Sequence, residues 1–324
     1  MDMLHNNKKL IVIIPAYNEA AHIAMVIKDV PRSLDKISEV LVLVSDDGST
    51  DDTVKIAKET KADYIISNKH NMGLGKNFQI AIEKALSLGA DIIVNIDGDG
   101  QFDAQDIKKL ILPIVNNEAD MVTGSRFSNK KDSKNVPLIK RFGNYAFTKL
   151  INLITKQKFT DTQCGFRAYS KRAALKLNLF GRFTYTQETF IDLAEKEIII
   201  KEVPISVKYF DDRKSHISGN LISYGFKSLA IVANTLRDTQ PIMFFGFPGT
   251  TLLSLGFVGG LYSFIYWLIN HQTTPIKTLF IIAVFFMTFG LMLIIFGLLA
   301  DMIKRVKKNQ EEILYKLKKK EFKK

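Results

Sequence analysis

Ile242–Ile269 contains no ionised side chain. At about 1.5 Å rise per residue, a helix of that length exceeds the ~30 Å hydrocarbon core of a bilayer. Thr278–Ala300 repeats the pattern after a short connection, Asn270–Lys277. Two such runs, so long and so close together, are poor candidates for paired helices buried in a globular core. They predict a C-terminal transmembrane α-hairpin within 241–303, with spans at about 242–269 and 278–300. Lys304, Arg305, Lys307 and Lys308 follow the second span directly. The positive-inside rule places that end, a basic tail over 304–324, in the cytoplasm. Two spans return the chain to its starting side, so the N-terminal region is expected to be cytoplasmic too. From Asp301 onward there are ten Lys or Arg against four Asp or Glu, which is half of the net charge of +12. Positive charge beside an apolar span points to anionic lipid rather than nucleic acid. Before the hairpin, 219–240 reads as an amphipathic juxtamembrane helix centred on Leu221–Leu236. Gly256, Gly259, Gly260, Gly290 and Gly297 permit close helix packing or assembly of a homo-oligomer. Met1–Lys9 lacks the apolar stretch of a signal peptide.

Upstream, short apolar runs alternate with helical patterns. Strands are expected at Leu10–Ile14, Val40–Ser45, Tyr64–Ser67, Asp91–Ile96 and Met121–Thr123. Helical spacing falls at Ala20–Val30, Thr53–Lys61, Gly75–Leu88 and Gln105–Asn116. This β-α repeat predicts an α/β domain over 1–218 with a mostly parallel, doubly wound sheet. Asp51 or Asp52 suits the start of the second helix. Further on, Ile139–Ile154 reads as a helix with Phe142, Tyr145, Ala146, Leu150 and Leu153 near one face. Ser128–Asn135 reads as a polar loop, Arg182–Lys196 as a helix and Ile198–Val203 as a strand. The single cysteine, Cys164, excludes an intrachain disulfide and reads as a small buried side chain.

In such a sheet the loops after the strands gather at one edge, where ligands bind. The loop after the fourth run reads Asp97-Gly98-Asp99-Gly100-Gln101. Carboxylates one residue apart point in different directions within one cleft. Gly98 and Gly100 allow a sharp turn and close approach of a bulky ligand. Carboxylate and amide oxygens suit a hard divalent cation, which in turn suits a diphosphate. The bland reading is a polar Asp-Gly turn, and this stretch alone does not decide. The other loops are Pro15-Ala16-Tyr17-Asn18-Glu19, Asp46-Asp47-Gly48-Ser49-Thr50-Asp51 and Asn71-Met72-Gly73-Leu74-Gly75-Lys76. Aspartate accepts hydrogen bonds from base N–H groups, while Gly and Lys accommodate phosphates. Gly73–Lys76 is not a P-loop, and no GxGxxG follows the first strand, which argues against a dinucleotide enzyme.

Taken in order, PAYNE, DDGSTD, the Gly73–Lys76 loop, DGDGQ, Thr123-Gly124-Ser125-Arg126-Phe127 and Gly165-Phe166-Arg167 resemble glycosyltransferase family 2. Within it they resemble the polyprenyl-phosphate glycosyltransferases related to dolichol-phosphate mannose synthase. The resemblance runs from about Leu10 to Phe245. It implies a GT-A fold, a UDP- or GDP-sugar donor, Mg²⁺ or Mn²⁺, and inversion at the anomeric carbon. It also implies residue roles. Pro15, Ala16, Tyr17, Glu19 and Asp47 line the nucleoside pocket with Asp46 beside them, and Gly73, Lys76 and Gly98 complete the donor side. Asp97 sits near the sugar or ribose, Asp99 and Gln101 hold the metal, and Arg126 meets phosphate. Arg167 and Glu188 fall on the acceptor side. Arg213 and Ser215 close over the phosphates, with His216 where Lys or Arg is usual.

The implied reaction is transfer of a hexose to undecaprenyl or dolichyl phosphate at the cytoplasmic membrane face. A lipid phosphate is already anionic, so no strong general base is needed, and the motifs offer no obvious catalytic histidine. Orientation and charge neutralisation by Asp97, Asp99, Arg126 and Arg213 would carry the chemistry. A family 2 transferase acting on diacylglycerol or a glycan is the main alternative, but a neutral hydroxyl would need a base. A non-catalytic membrane scaffold is the other, and intact Asp97, Asp99 and Gln101 argue against it.

Overall fold

The structure is a computed structural model. It describes residues 8–127, 144–145, 148–149, 151–153, 155, 157–178, 185–208, 233–234 and 236–323. Four strands, β1 (Lys8–Ala16), β2 (Ile37–Asp46), β3 (Tyr64–Ser67) and β4 (Ile92–Asn95), run parallel. β5 (Met121–Ser125) and β7 (Ile200–Pro204) are parallel to each other, and β6 (Arg167–Ser170) lies antiparallel between β4 and β5. The sheet order is β3-β2-β1-β4-β6-β5-β7. The chain therefore leaves β1 toward β2 and β3 and returns to β4 on the other side. That reversal opens a crevice at the carboxyl ends of β1 and β4.

The central strands are continuous apolar runs because both faces are covered. On one face Leu10, Val12, Ile14, Val42, Val44 and Val94 pack with Ile23 and Ile27 of α1 (Ile23–Asp29) and with Leu110 of α4 (Ile107–Val115). On the other, Ile11, Ile13, Leu43 and Ile93 pack with Phe78, Ala81 and Ala85 of α3 (Leu74–Ser87). Each fully buried large aliphatic side chain contributes roughly 1.5–3 kcal/mol. Between β2 and β3 lies α2 (Thr53–Glu59). Its N-cap is Asp52, but the carboxylate that meets the first helical amide is that of Asp51, at 3.0 Å from Thr53 N.

Two short elements had no counterpart in the sequence reading: β6, and α5 (Lys171–Lys176), which Ser170 caps through Ala173 N at 3.1 Å. α6 (Tyr185–Glu195) and β7 fall where expected. The helical residues near 144–155 reverse the expected face. Tyr145 and Leu153 are 64% and 72% exposed, while Asn144, Thr148 and Ile151 are buried. Hydrogen bonding explains the inversion. Asn144 Nδ2 donates to Thr160 O (3.2 Å), Thr148 meets the Thr162 hydroxyl (3.1 Å), and Asn152 bonds both the N and O of Phe159. The helix supports a loop backbone with amides and hydroxyls, a task no apolar side chain performs.

The chain divides into two compact units, Met1–Lys214 with Leu314–Lys324, and Ser215–Ile313. In the second, α7 (Pro241–Asn270) and most of α8 (Lys277–Glu321) are long and apolar enough to cross a membrane. A Cβ on Gly256 would stand 2.6 Å from Ala283 O, and one on Gly290 2.6 Å from Leu253 N. Small residues thus let the two backbones touch, a packing suited to helices in lipid. The basic stretch after the second span continues α8 as helix to Glu321. The expected juxtamembrane helix at 219–240 falls largely outside the described residues, as does the loop Ser128–Asn135.

Candidate active site

The first two loops are laced together at the sheet edge. Asn18 N donates to Ser49 Oγ (2.9 Å), and Thr50 N returns a bond to Asn18 Oδ1 (2.9 Å). Glu19 N donates to Thr53 Oγ1 (2.8 Å), and Asp47 N to Ala16 O (2.9 Å). Pro15 and Ala16 end β1 as buried residues, and Tyr17 is exposed. Glu19 is partly buried, 3.5 Å from His22 Nδ1.

Asp46 and Asp47 are buried, and both carboxylates accept hydrogen bonds from the surrounding loops. Asp46 accepts from Ser49 N (3.1 Å) and Ser67 Oγ (2.7 Å). Asp47 accepts from Asn68 Nδ2 (3.0 Å), Met72 N (2.9 Å) and Gly73 N (2.9 Å). Asp47 thereby anchors the glycine loop that leads into α3. Below it, buried Asn77 joins Ser45 and Asn68. Lys76 stands exposed in the first turn of α3.

The loop after β4 is built differently. Gly98 passes so close to β1 that a Cβ would meet Pro15 O at 3.1 Å, and Gly100 takes a positive φ of 72°. Asp97 and Asp99 are half-buried in the cleft. Burial against the strands beneath it, then the like charge of Asp99, push Asp97 up to about 7. The guanidinium groups of Arg126 and Arg167 and a bond from Asn95 pull the other way. Asp99 Oδ1 accepts from Gln101 N at 3.0 Å. The far end of the loop is fixed where Gln101 O accepts from Lys208 N (2.8 Å) and Phe102 bridges Val207.

This donor set fits a hard divalent cation. Two carboxylates repel across the cleft, with an amide nearby, and a cation would relieve that repulsion. Among the described residues no cluster of three His, Cys, Asp or Glu groups occurs. The protein would supply part of the coordination shell and phosphate oxygens the rest, as is usual for Mg²⁺ sites.

Arg126, just past β5, forms a two-pronged pair with Asp161. Nε donates to Oδ2 (2.7 Å) and Nη2 to Oδ1 (3.0 Å). Asp161 is fully buried. Its backbone N donates to Glu202 Oε1 (2.8 Å), and Thr160 N donates to Glu202 Oε2 (2.9 Å). Burial raises Glu202 above the usual carboxylate range. The arginine thus meets a buried acid whose loop is pinned to β7.

Residues 11–177 match the sequence profile of glycosyl transferase family 2. The UDP-N-acetylglucosamine–dolichyl-phosphate N-acetylglucosaminyltransferase of Methanococcus voltae is 35% identical over 68% of this chain and 93% of its own length. The chain belongs to glycosyltransferase family 2.

The glycosyltransferase AglJ of Haloferax volcanii is 26% identical over 92% of this chain and 95% of its own. Among solved structures, glucosyl-3-phosphoglycerate synthase from Mycobacterium tuberculosis, in complex with Mn²⁺, UDP and phosphoglyceric acid, aligns with a TM-score of 0.52. That alignment has 21% identity and covers 71% of this chain and 78% of that one. The GT-A fold of this glycosyltransferase is therefore shared with that enzyme. Three of its residues qualify the expected roles. Arg167, expected on the acceptor side, is fully buried at the start of β6. It donates to Thr162 O (3.1 Å) with its guanidinium 4.6 Å from the Phe190 ring centre. Its positive charge also acts on Asp97, lowering that carboxyl's pKa. Glu188 lies partly buried in the first turn of α6. Burial, then Asp161, push the Cys164 thiol up to about 12, which rules it out as a nucleophile. Arg213, Ser215 and His216 lie outside the described residues. Sequence reasoning missed Asp161 and Glu202. The one signal for the first was its place in Asp161-Thr162-Gln163-Cys164, directly before the Gly165-Phe166-Arg167 motif.

Proposed function

We propose that this glycosyltransferase moves a hexose-type sugar from a nucleoside diphosphate to a polyprenyl phosphate, with inversion, at the cytoplasmic membrane face. The observation that carries this reading is the pairing, in one chain, of the Asp97/Asp99 cleft with two helices of membrane-crossing length. A soluble acceptor gives no reason for the second feature, whereas a lipid-borne one does. The Methanococcus voltae relative is named for UDP-N-acetylglucosamine and dolichyl phosphate. That supports a UDP-linked donor and a polyprenyl acceptor as the first pair to test.

The chemistry follows from charge. The acceptor phosphate is ionised at neutral pH, so its oxygen attacks the anomeric carbon without a base. The new C–O bond forms as the bond to the diphosphate oxygen breaks, and the configuration inverts. Arg126, held in one orientation by Asp161, would neutralise charge growing on the leaving diphosphate. Asp47 keeps the glycine loop folded for the donor, and Asp97 orients the sugar or ribose hydroxyls. A divalent cation, when bound at Asp99 and Gln101, would supply Lewis-acid stabilisation to the same leaving group.

The test is to incubate the purified protein with dolichyl or undecaprenyl phosphate, Mg²⁺ or Mn²⁺, and UDP- and GDP-sugars. Mass spectrometry then looks for a glycosylated lipid phosphate. Its formation is the expected result. Transfer only to diacylglycerol or to a glycan would overturn the reading.

A further inference from the structure

The last turns of α8 are the least free part of a strongly basic segment. Lys318 is only 8% exposed. Its Nζ donates to Asn178 Oδ1 (2.9 Å) and to Leu177 O (3.2 Å). Burial lowers its pKa, and the amine also feels Glu83, Lys196, Asp192 and Glu321. Tyr315 on the same helix, and Phe322 directly after its end, pack against the core cluster that holds Phe78, Ile82, Phe190 and Leu193. Lys176 Nζ lies 5.8 Å from the Tyr315 ring centre. Its neighbours Lys319 and Lys320 are exposed. Lys318 therefore does not behave as one more solvated cation for lipid headgroups.

The bonds continue inward. Asn178 N donates to Asp192 Oδ2 (3.2 Å), and Lys196 Nζ joins Asp192 Oδ1 (2.6 Å) to Lys176 O (2.8 Å). Asp192 and Lys196 sit on and just beyond α6, and Asp192 is one helical turn after Glu188. Side chains four apart on a helix share a face. A continuous path thus runs from Lys318 through Asn178 and Asp192 to the helix bearing Glu188.

We propose that Lys318 is a positioning residue, through which the C-terminal turns of α8 set the placement of α6 and so of the acceptor side. This rests on the acceptor reading given above.

The test uses the full-length protein with Lys318→Met, which keeps bulk and removes the donor, and Lys319→Met as an exposed control. Backbone hydrogen exchange over 177–195 and KM values for both substrates are measured. Lys318→Met should speed exchange across α6. It should raise KM for polyprenyl phosphate about five- to tenfold, the scale of one lost hydrogen bond. KM for the sugar nucleotide should stay unchanged, and Lys319→Met should alter neither. Asn178→Ala, which removes the bond from the other side, should reproduce the acceptor effect. Unchanged α6 exchange overturns the proposal. So do equal rises in both KM values, which mark general destabilisation, or an equal acceptor effect from Lys319→Met, which marks lipid attraction by bulk charge. If the wild-type protein turns out to use another acceptor, the functional reading fails by itself. The exchange comparison still decides whether Lys318 holds α6.

Discussion

Two pairs of aspartates stand at the same edge of the sheet and do opposite things. Asp46 and Asp47, after β2, are buried and accept hydrogen bonds from Ser49, Ser67, Asn68, Met72 and Gly73. Asp97 and Asp99, after β4, face a cleft, and their mutual repulsion helps lift Asp97 to about 7. The first pair orders the loops at that edge of the sheet. The second sets two carboxylates close enough to repel, an arrangement that a bound cation would relieve. Local density of aspartate therefore says little about role. What distinguishes the pairs is full burial among loop N–H and O–H donors for the first and half-burial beside a like charge for the second.

Removing one member of each pair separates these roles. Asp99→Ala should lower turnover about a thousandfold or more, the scale seen when a charge-stabilising group is lost from a transfer site. Its melting temperature should stay close to wild type, because Asp99 is only half-buried. Next in size, Asp161→Asn should cost about a hundredfold in kcat, since a misplaced Arg126 no longer meets the leaving group. Steady-state kinetics beside a thermal melt check both. Asp47→Asn should show the reverse balance. It loses about 1–3 kcal/mol of stability from a buried carboxylate that orders the glycine loop, with a raised KM for donor and smaller change in kcat. A denaturant titration reads the first and kinetics the second.

The smallest effect is a pH signature. The folded-state pKa of Asp97 is raised from 3.8 to about 7. Between those values the folded chain binds more protons than the unfolded one, so this group's contribution to stability falls as pH rises through the window. In metal-free protein, Asp97→Asn should therefore melt higher than wild type at pH 8, with the gap closing toward pH 5. A gap that widens on acidification would contradict the raised pKa that burial and then Asp99 give Asp97.

The same contrast governs what was legible in the sequence. Strands β1 to β5 announce themselves as apolar runs, and the motif loops begin where those runs stop. The spans are legible for the same reason. β6 is not, because Arg167-Ala168-Tyr169-Ser170 is four residues with a charge at its start, and its antiparallel pairing to β4 and β5 is a long-range event. Asp161 was hidden because it lies in irregular chain, held by Glu202 from a distant strand. At 144–155 periodicity misled. It grouped Tyr145 and Leu153 on one face, and both are exposed, while Asn144 bonds the loop backbone at Thr160. In the tail, charge masked a packing stripe of partly buried Tyr315 and Phe322 around buried Lys318, whose spacing was present in the sequence all along. The predicted roles of Arg213 and Ser215 lie outside the described residues.

The most direct test of the division between the two pairs is a calorimetric titration of UDP and GDP into wild-type, Asp99→Ala and Asp47→Asn protein, with and without Mn²⁺. The account predicts that Mn²⁺ tightens nucleotide binding to wild type and to Asp47→Asn, and has no effect on Asp99→Ala. Undiminished Mn²⁺ dependence in Asp99→Ala would contradict it.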